Sequence, residues 1–395
     1  MGNRPRMPRF TTRGLAAGGL MLAGMAIMTT PAVARDAAAT YELAYTADIA
    51  GPISGGASRA GRALDNLDLV ADVDLEQSLG WRGARAHAYL LFNNGGAPNE
   101  LVGTLEGIDN IEVPRPGARL YEAWLEQDLG GGAALLAGLY DLNSEFYATE
   151  SSSLLIAPPF GIGSELAATG ANGPSIFPST ALAVRLKVAR ETAYLQLAAF
   201  NAIAAAPGDP GGVDTGFDDG LLMIGQAGRH AGPWTLALGA WRYTKDQDDL
   251  YDLTPLGDPA QRTAQGAYLL AERAMTIAGR DATVFLRAGL SDGDTSPFRG
   301  SWQGGLLIDA PISGRPDGAL SIGLHQAVLG DSFVAAATED LARAETGLEI
   351  TYADRLTPWL AVQPDLQVIW NPGGLDAADP AVVGALRVTM SFSGP

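Results

Sequence analysis

The chain contains no cysteine, which excludes disulfides and thiolate metal sites. Its three histidines leave little room for histidine-based zinc chemistry. Charge is scarce: charged residues make up 18% of the 395, against roughly 25% in ordinary soluble domains. Positive charge is scarcer still. Lys plus Arg is 26 against 44 for Asp plus Glu, a formal net charge of −18. A nucleic-acid partner needs a basic face, and the composition denies one. Long apolar runs are also missing. Outside the first 34 residues no window reaches the 18 or so apolar positions of a membrane-crossing helix. Glycine, by contrast, is abundant at 50 residues, nearly twice the usual share of about 7%.

The N-terminus has an export pattern. Arg4, Arg6, Arg9 and Arg13 come without an acid, Gly14 to Met28 is small and apolar, and Ala32-Val33-Ala34 follows. A basic region, a short apolar region and an A-x-A site make a signal peptide. The expectation is a signal peptide over 1–34 and a single barrel domain over 35–395. No Arg-Arg pair is present, which favours the general secretory route over the twin-arginine one.

The rest reads as strands. Val382, Gly384, Leu386, Val388, Met390 and Phe392 alternate with Ala385, Arg387, Thr389 and Ser391. A period of two gives a strand with one apolar and one polar face. Leu360, Val362, Leu366 and Val368 alternate likewise with Gln363, Asp365 and Gln367. About sixteen such segments run from 41–50 to 381–392, a common number for an outer-membrane barrel. The connections sort by length. Alternate ones are tight (131–132, 229–232, 277–280), and those between are mostly long (94–117, 143–178, 244–263). Short turns at one end and long loops at the other mark a transmembrane antiparallel β-barrel; a soluble sandwich has no reason to sort its loops this way. The predicted fold class is therefore all-β. Trp81, Trp234 and Trp359 follow short turns, while Trp241, Tyr243, Trp302 and Trp370 lie near long loops. They are expected to form the two interfacial aromatic girdles.

Several stretches, in order, resemble the OprB-like carbohydrate-selective porin family. They are Asn110–Gln127 (NIEVPRPGARLYEAWLEQ), Gly138–Phe146 (GLYDLNSEF), Gly173–Leu186 (GPSIFPSTALAVRL), Ile312–Gln326 (ISGRPDGALSIGLHQ) and Thr357–Gly374 (TPWLAVQPDLQVIWNPGG). The similarity runs from about Leu64 to Phe392. It implies an outer-membrane barrel passing small sugars by facilitated diffusion, with no cofactor. The partners implied are small carbohydrates, outer-membrane lipids and the barrel-assembly machinery; a homo-oligomer stays open. One departure is that Ser393-Gly394-Pro395 follow Phe392, where such chains usually end on the aromatic.

A pore selects by width, hydrogen-bonding groups and charge. The third long loop, 143–178, mixes Glu145 and Phe146 with an apolar stretch (LLIAPPFGIG) poorly suited to water, and is expected to fold into the barrel. Alternation nominates lumen residues: Arg85 and Tyr89; Glu122, Trp124 and Glu126; Arg185 and Lys187; Gln196; Arg287, Asp365 and Arg387. Aromatic rings can stack on sugar faces while charged and amide groups bond hydroxyls. A general or cation-preferring porin is the rival reading. Asp246, Asp248, Asp249 and Asp252 read as a solvated outer loop, since their spacing matches no EF-hand. Gly289-Leu290-Ser291-Asp292-Gly293 matches G-x-S-x-G, but no helix pattern follows, so the context of a hydrolase nucleophile is missing.

Overall fold

The computed structural model describes residues 37–206, 209 and 211–395; the expected signal peptide lies outside them. Eighteen strands follow in chain order. They are β1 (Ala39–Ser54), β2 (Arg62–Asp74), β3 (Ala84–Gly95), β4 (Gly117–Gly130), β5 (Ala133–Tyr140) and β6 (Ala181–Ala189). Next come β7 (Ala193–Asn201), β8 (Leu221–Ala231), β9 (Trp234–Tyr243), β10 (Gln247–Leu253), β11 (Pro259–Arg262) and β12 (Gln265–Ile277). The last six are β13 (Arg280–Ser291), β14 (Phe298–Asp309), β15 (Ala319–Leu329), β16 (Ala344–Thr357), β17 (Leu360–Trp370) and β18 (Ala381–Gly394).

Sixteen of these form one closed antiparallel barrel, each paired to its sequence neighbour, with β12 joined to β9 and β1 closing on β18. β10 and β11 form a separate hairpin inside the fifth long loop, where the sequence pattern predicts a solvated loop without strands. Its acids are bonded locally: Arg262 reaches Asp249 at 3.2 Å and Asp252 at 3.1 Å. The second strand also ends earlier than its apolar pattern suggests. Asp74 accepts from the backbone N–H groups of Glu76 and Gln77 and so caps a short helical turn, Leu75–Leu79. The C-terminal extension is absorbed into the closing ladder, where Ser393 pairs with Glu42 and Gly394 with Tyr41.

Alternation sorts the side chains as the strand pattern requires. Leu238, Leu197, Leu286 and Leu386 face outward, and Leu238 is 63% exposed. Arg185, Gln226, Gln303 and Arg387 face inward and are buried. Closure satisfies every strand edge, the condition for spanning a membrane with strands. Trp234, Trp359 and Trp370 are exposed on the outer face, as girdle residues should be, and Trp81 is exposed in the turn before β3. Trp241 and Tyr243 are not. Both are buried in the interior cluster under the third long loop, because they share the inward parity of Ala237 on β9. Leu386 lies in mid-strand on the outer face. Arginine there should cost about 2–4 kcal/mol of folding free energy in lipid, whereas Leu386→Met should change little. Equal denaturation midpoints for the two variants would contradict the register of β18.

Candidate functional site

β5 is only eight residues long, so the chain leaves the wall partway up and the third long loop turns into the lumen. Its course is fixed by inward polar groups of the far wall. Arg287 on β13, fully buried, donates to the carbonyl oxygens of Tyr147 at 3.0 Å, Gly161 at 2.8 Å and Phe160, and to Ser152 Oγ at 3.2 Å. Its guanidinium also lies over the Tyr147 ring, 5.1 Å from the centroid. The Tyr147 hydroxyl donates to Glu165, which accepts again from Ser301. Burial pushes the Glu165 carboxyl above its ordinary range, against the lowering effect of those two donors. Glu349 on β16 accepts from the backbone N–H of Ile156 and Ala157. Two glycines make room: a Cβ on Gly289 would meet Glu165, and one on Gly323 would meet Phe160 and Leu155. The apolar residues of the loop are thus buried against the wall, as Phe146, Leu155 and Phe160 show.

The second long loop, residues 96–116, also enters the lumen, and nothing in its composition announced this. Glu345 on β16 accepts from Leu105 and Glu106 N–H, and His325 on β15 bonds Glu106 at 2.8 Å. Gln367 donates to the Ile108 carbonyl. Arg387 on β18 joins Asp48 at 2.6 Å to Asp109 at 3.3 Å and Asn110 at 2.7 Å. The two loops meet where Asn110 N–H donates to the Ile156 carbonyl. Together they cover the inner wall from β8 to β18.

On the long-loop side is a chamber of about 350 Å³ between the two loops and the wall, lined in part by Tyr89, Tyr121 and Phe177. Tyr89 and Tyr121 meet edge to face at 4.9 Å, and Phe177 lies 6.3 Å from Tyr121. A bulge in β4, where Tyr89 and Leu90 face Glu122 and Leu120, breaks the alternation. It turns Tyr121 inward beside Glu122, so a strict period of two passes over Tyr121. The Tyr121 hydroxyl donates to Asp141 at 2.8 Å. Burial, with Glu122 beside it, raises the Asp141 carboxyl to about 7 although Tyr121 donates to it.

Further toward the short turns, His87 stacks on Trp124 at 4.6 Å and bonds Asp72 at 2.9 Å. Then comes a cross-linked ring. Glu126 takes Arg85 and Arg185, each at 2.7 Å. Glu145 takes Arg185 at 2.7 Å and Lys187 at 2.5 Å, and accepts from the Tyr140 hydroxyl at 2.6 Å. Burial would raise the Glu145 carboxyl, but Arg185 and Lys187 outweigh it and hold it below the ordinary 4.5. Gln196 donates to the Glu145 carbonyl.

The thirteen residues that the sequence nominates separate into four places. Arg85, Glu126, Glu145, Arg185 and Lys187 converge on the charged ring with Gln196 at its edge. Tyr89, Glu122 and Trp124 line the neighbouring wall. Phe146 and Arg287 lie in the seam under the third loop. Asp365, bonded to Gln367, and Arg387 lie on the covered wall near the second loop. The sequence reading missed Tyr121, hidden by the bulge. It also missed Asp141 and Asp109, which stand in loops where alternation has no meaning. Ser291 donates its hydroxyl to the Phe298 carbonyl. Among the described residues no three acidic or histidine side chains are grouped to hold a metal.

A closed sixteen-stranded barrel, aliphatic outside and narrowed inside by folded-in loops, is a porin, a passive channel through the outer membrane. The comparisons place it more narrowly. The sequence profile of the carbohydrate-selective porin, OprB family, matches residues 58–392, and the chain belongs to that family. Porin B of Pseudomonas aeruginosa is 22% identical over 407 residues, covering 89% of this chain and 87% of that protein. The high-pH structure of Pseudomonas putida OprB superposes with a TM-score of 0.79 at 21% identity, over 90% of this chain and 94% of the other. The Acinetobacter baumannii outer membrane channel DcaP gives a TM-score of 0.56 at 10% identity, covering 90% and 97%. This chain is an outer-membrane channel for carbohydrates.

Proposed function

We propose that small sugars descend the uncovered wall, from the aromatic chamber past Trp124 to the charged ring. The observation that carries this reading is the run of Tyr89, Tyr121 and Trp124 along β3 and β4, opposite a loop face held away by Arg287. Ring faces offer apolar contact to a pyranose. Asp141, Glu122, Glu126 and Arg85 offer acceptors and donors for its hydroxyls. No covalent step is needed; the concentration gradient drives transfer. The general-porin alternative lacks a specific observation in its favour.

The test is the initial swelling rate of proteoliposomes as a function of glucose concentration. The rate should saturate. Trp124→Ala should raise the half-saturating concentration about 2–12-fold, the equivalent of about 0.5–1.5 kcal/mol of aromatic contact. A rate linear in glucose for both proteins would reject the aromatic path.

A further inference from the structure

We infer that the outer chamber selects its sugars by charge: it accepts protonated amino sugars ahead of neutral ones and turns back sugar acids and sugar phosphates. This rests on the sugar path proposed above. The chamber carries four carboxyl groups, those of Glu106, Asp109, Glu112 and Asp141, and none of the described residues lining it is lysine or arginine. Of the guanidinium groups bonded to its lining residues, that of Arg387 is occupied between Asp48, Asp109 and Asn110, and that of Arg287 by the carbonyls of Tyr147, Phe160 and Gly161. Asp109 is 2% exposed, and its Oδ2 is buried without a hydrogen-bond partner. Asp141 has spent one oxygen on the Tyr121 hydroxyl and the other on Asn143 N–H, and Glu122 adds a further carboxyl behind it.

An anion in this space meets carboxyl groups and other acceptors, with no lysine or arginine among the described lining residues. An ammonium brings three donors, and Asp109 Oδ2 is an acceptor without one. The aromatic side of the same chamber, Tyr89, Tyr121 and Phe177, takes the ring face of the sugar, so amine and pyranose are held together. Simple cations lack the second half of that contact. The ring of Arg85, Arg185, Lys187, Glu126 and Glu145 is one base in excess, so acid selection belongs to the chamber and not to the floor.

The experiment is single-channel current through the full-length protein in a planar bilayer at pH 7 and constant ionic strength. Glucosamine, glucose, glucuronate and methylammonium are titrated in turn. The expected half-blocking concentration of glucosamine is at least about tenfold below that of glucose, with glucuronate and methylammonium both far weaker. The double variant Glu112→Gln, Asp141→Asn should bring the glucosamine-to-glucose ratio close to one. Because the ratio is read only on channels that open, misfolded protein does not enter it. Equal block by glucosamine and glucose overturns charge selection, and block by methylammonium matching glucosamine overturns the joint hold on amine and pyranose ring; both leave the sugar path standing. An unchanged ratio in the double variant overturns its assignment to these carboxyls. Absence of block by every sugar removes the path and this inference with it.

Discussion

Arg287→Met should open the channel. The arginine is fully buried and its guanidinium binds three backbone carbonyl groups of the third long loop. Methionine fills much of the space but donates nothing. Three carbonyls are left to find other donors, and the Tyr147 ring loses its cation. Charged hydrogen bonds of this kind contribute about 1.5–3 kcal/mol each and are not additive. A total loss of about 3–5 kcal/mol is expected in the folding free energy. The larger consequence is on the pore. Without its central clamp the loop leaves the β13 wall, and single-channel conductance should rise on the order of twofold with much larger current noise. Conductance equal to that of the unaltered protein would show that Glu349 and Ser301 hold the loop without Arg287.

Glu145→Gln should convert the ring from a nearly balanced site to a cationic one. The glutamate compensates Arg185 and Lys187 together. Arg185 is 3% exposed, while Lys187 and Glu145 keep some water contact at 22% and 18%. The loss in stability should therefore be about 2–4 kcal/mol, short of the fully buried limit. The reversal potential in a salt gradient should move toward anion preference. The effect has a defined pH window. The Glu145 carboxyl is held below 4.5 in the folded protein. Its stabilising contribution is therefore complete above the unfolded value of about 4.3 and is lost as pH falls through the lower folded value. The difference in stability between the two proteins should be constant at neutral pH and shrink in acid. A difference that grew in acid would contradict the ion pairing.

Much of the barrel was legible because membrane strands have a strict period. A lipid-facing leucine at 386 forces Arg387 inward, and most barrel strands are marked this way. The sorted loop lengths supplied the topology. The charged ring was legible for the same reason: Arg85, Arg185 and Lys187 stand on regular strands, and Glu126 on the alternating stretch of β4 beyond its bulge. Glu145 was found because its loop is too apolar to face water. What could not be read follows from the breakdown of those rules. The bulge in β4 shifts the parity by one and brings Tyr121 in. Residues 96–116 look like an ordinary outer loop, and their inward path depends on Glu345, His325, Gln367 and Arg387, partners more than 200 residues away in sequence. Trp241 and Tyr243 show the same limit from the other side. An aromatic near a loop end is a girdle residue only if its parity faces lipid.

The measurement that bears most directly on the sugar path is the single-channel current of the unaltered protein in a planar bilayer while neutral glucose is added. A saturable fall in current at millimolar glucose is the predicted result, since a sugar held between the aromatic wall and the third loop must obstruct the ions that share the passage. Stable channel steps whose current falls only in proportion to bulk conductivity, with no saturation, would contradict a sugar site in this pore.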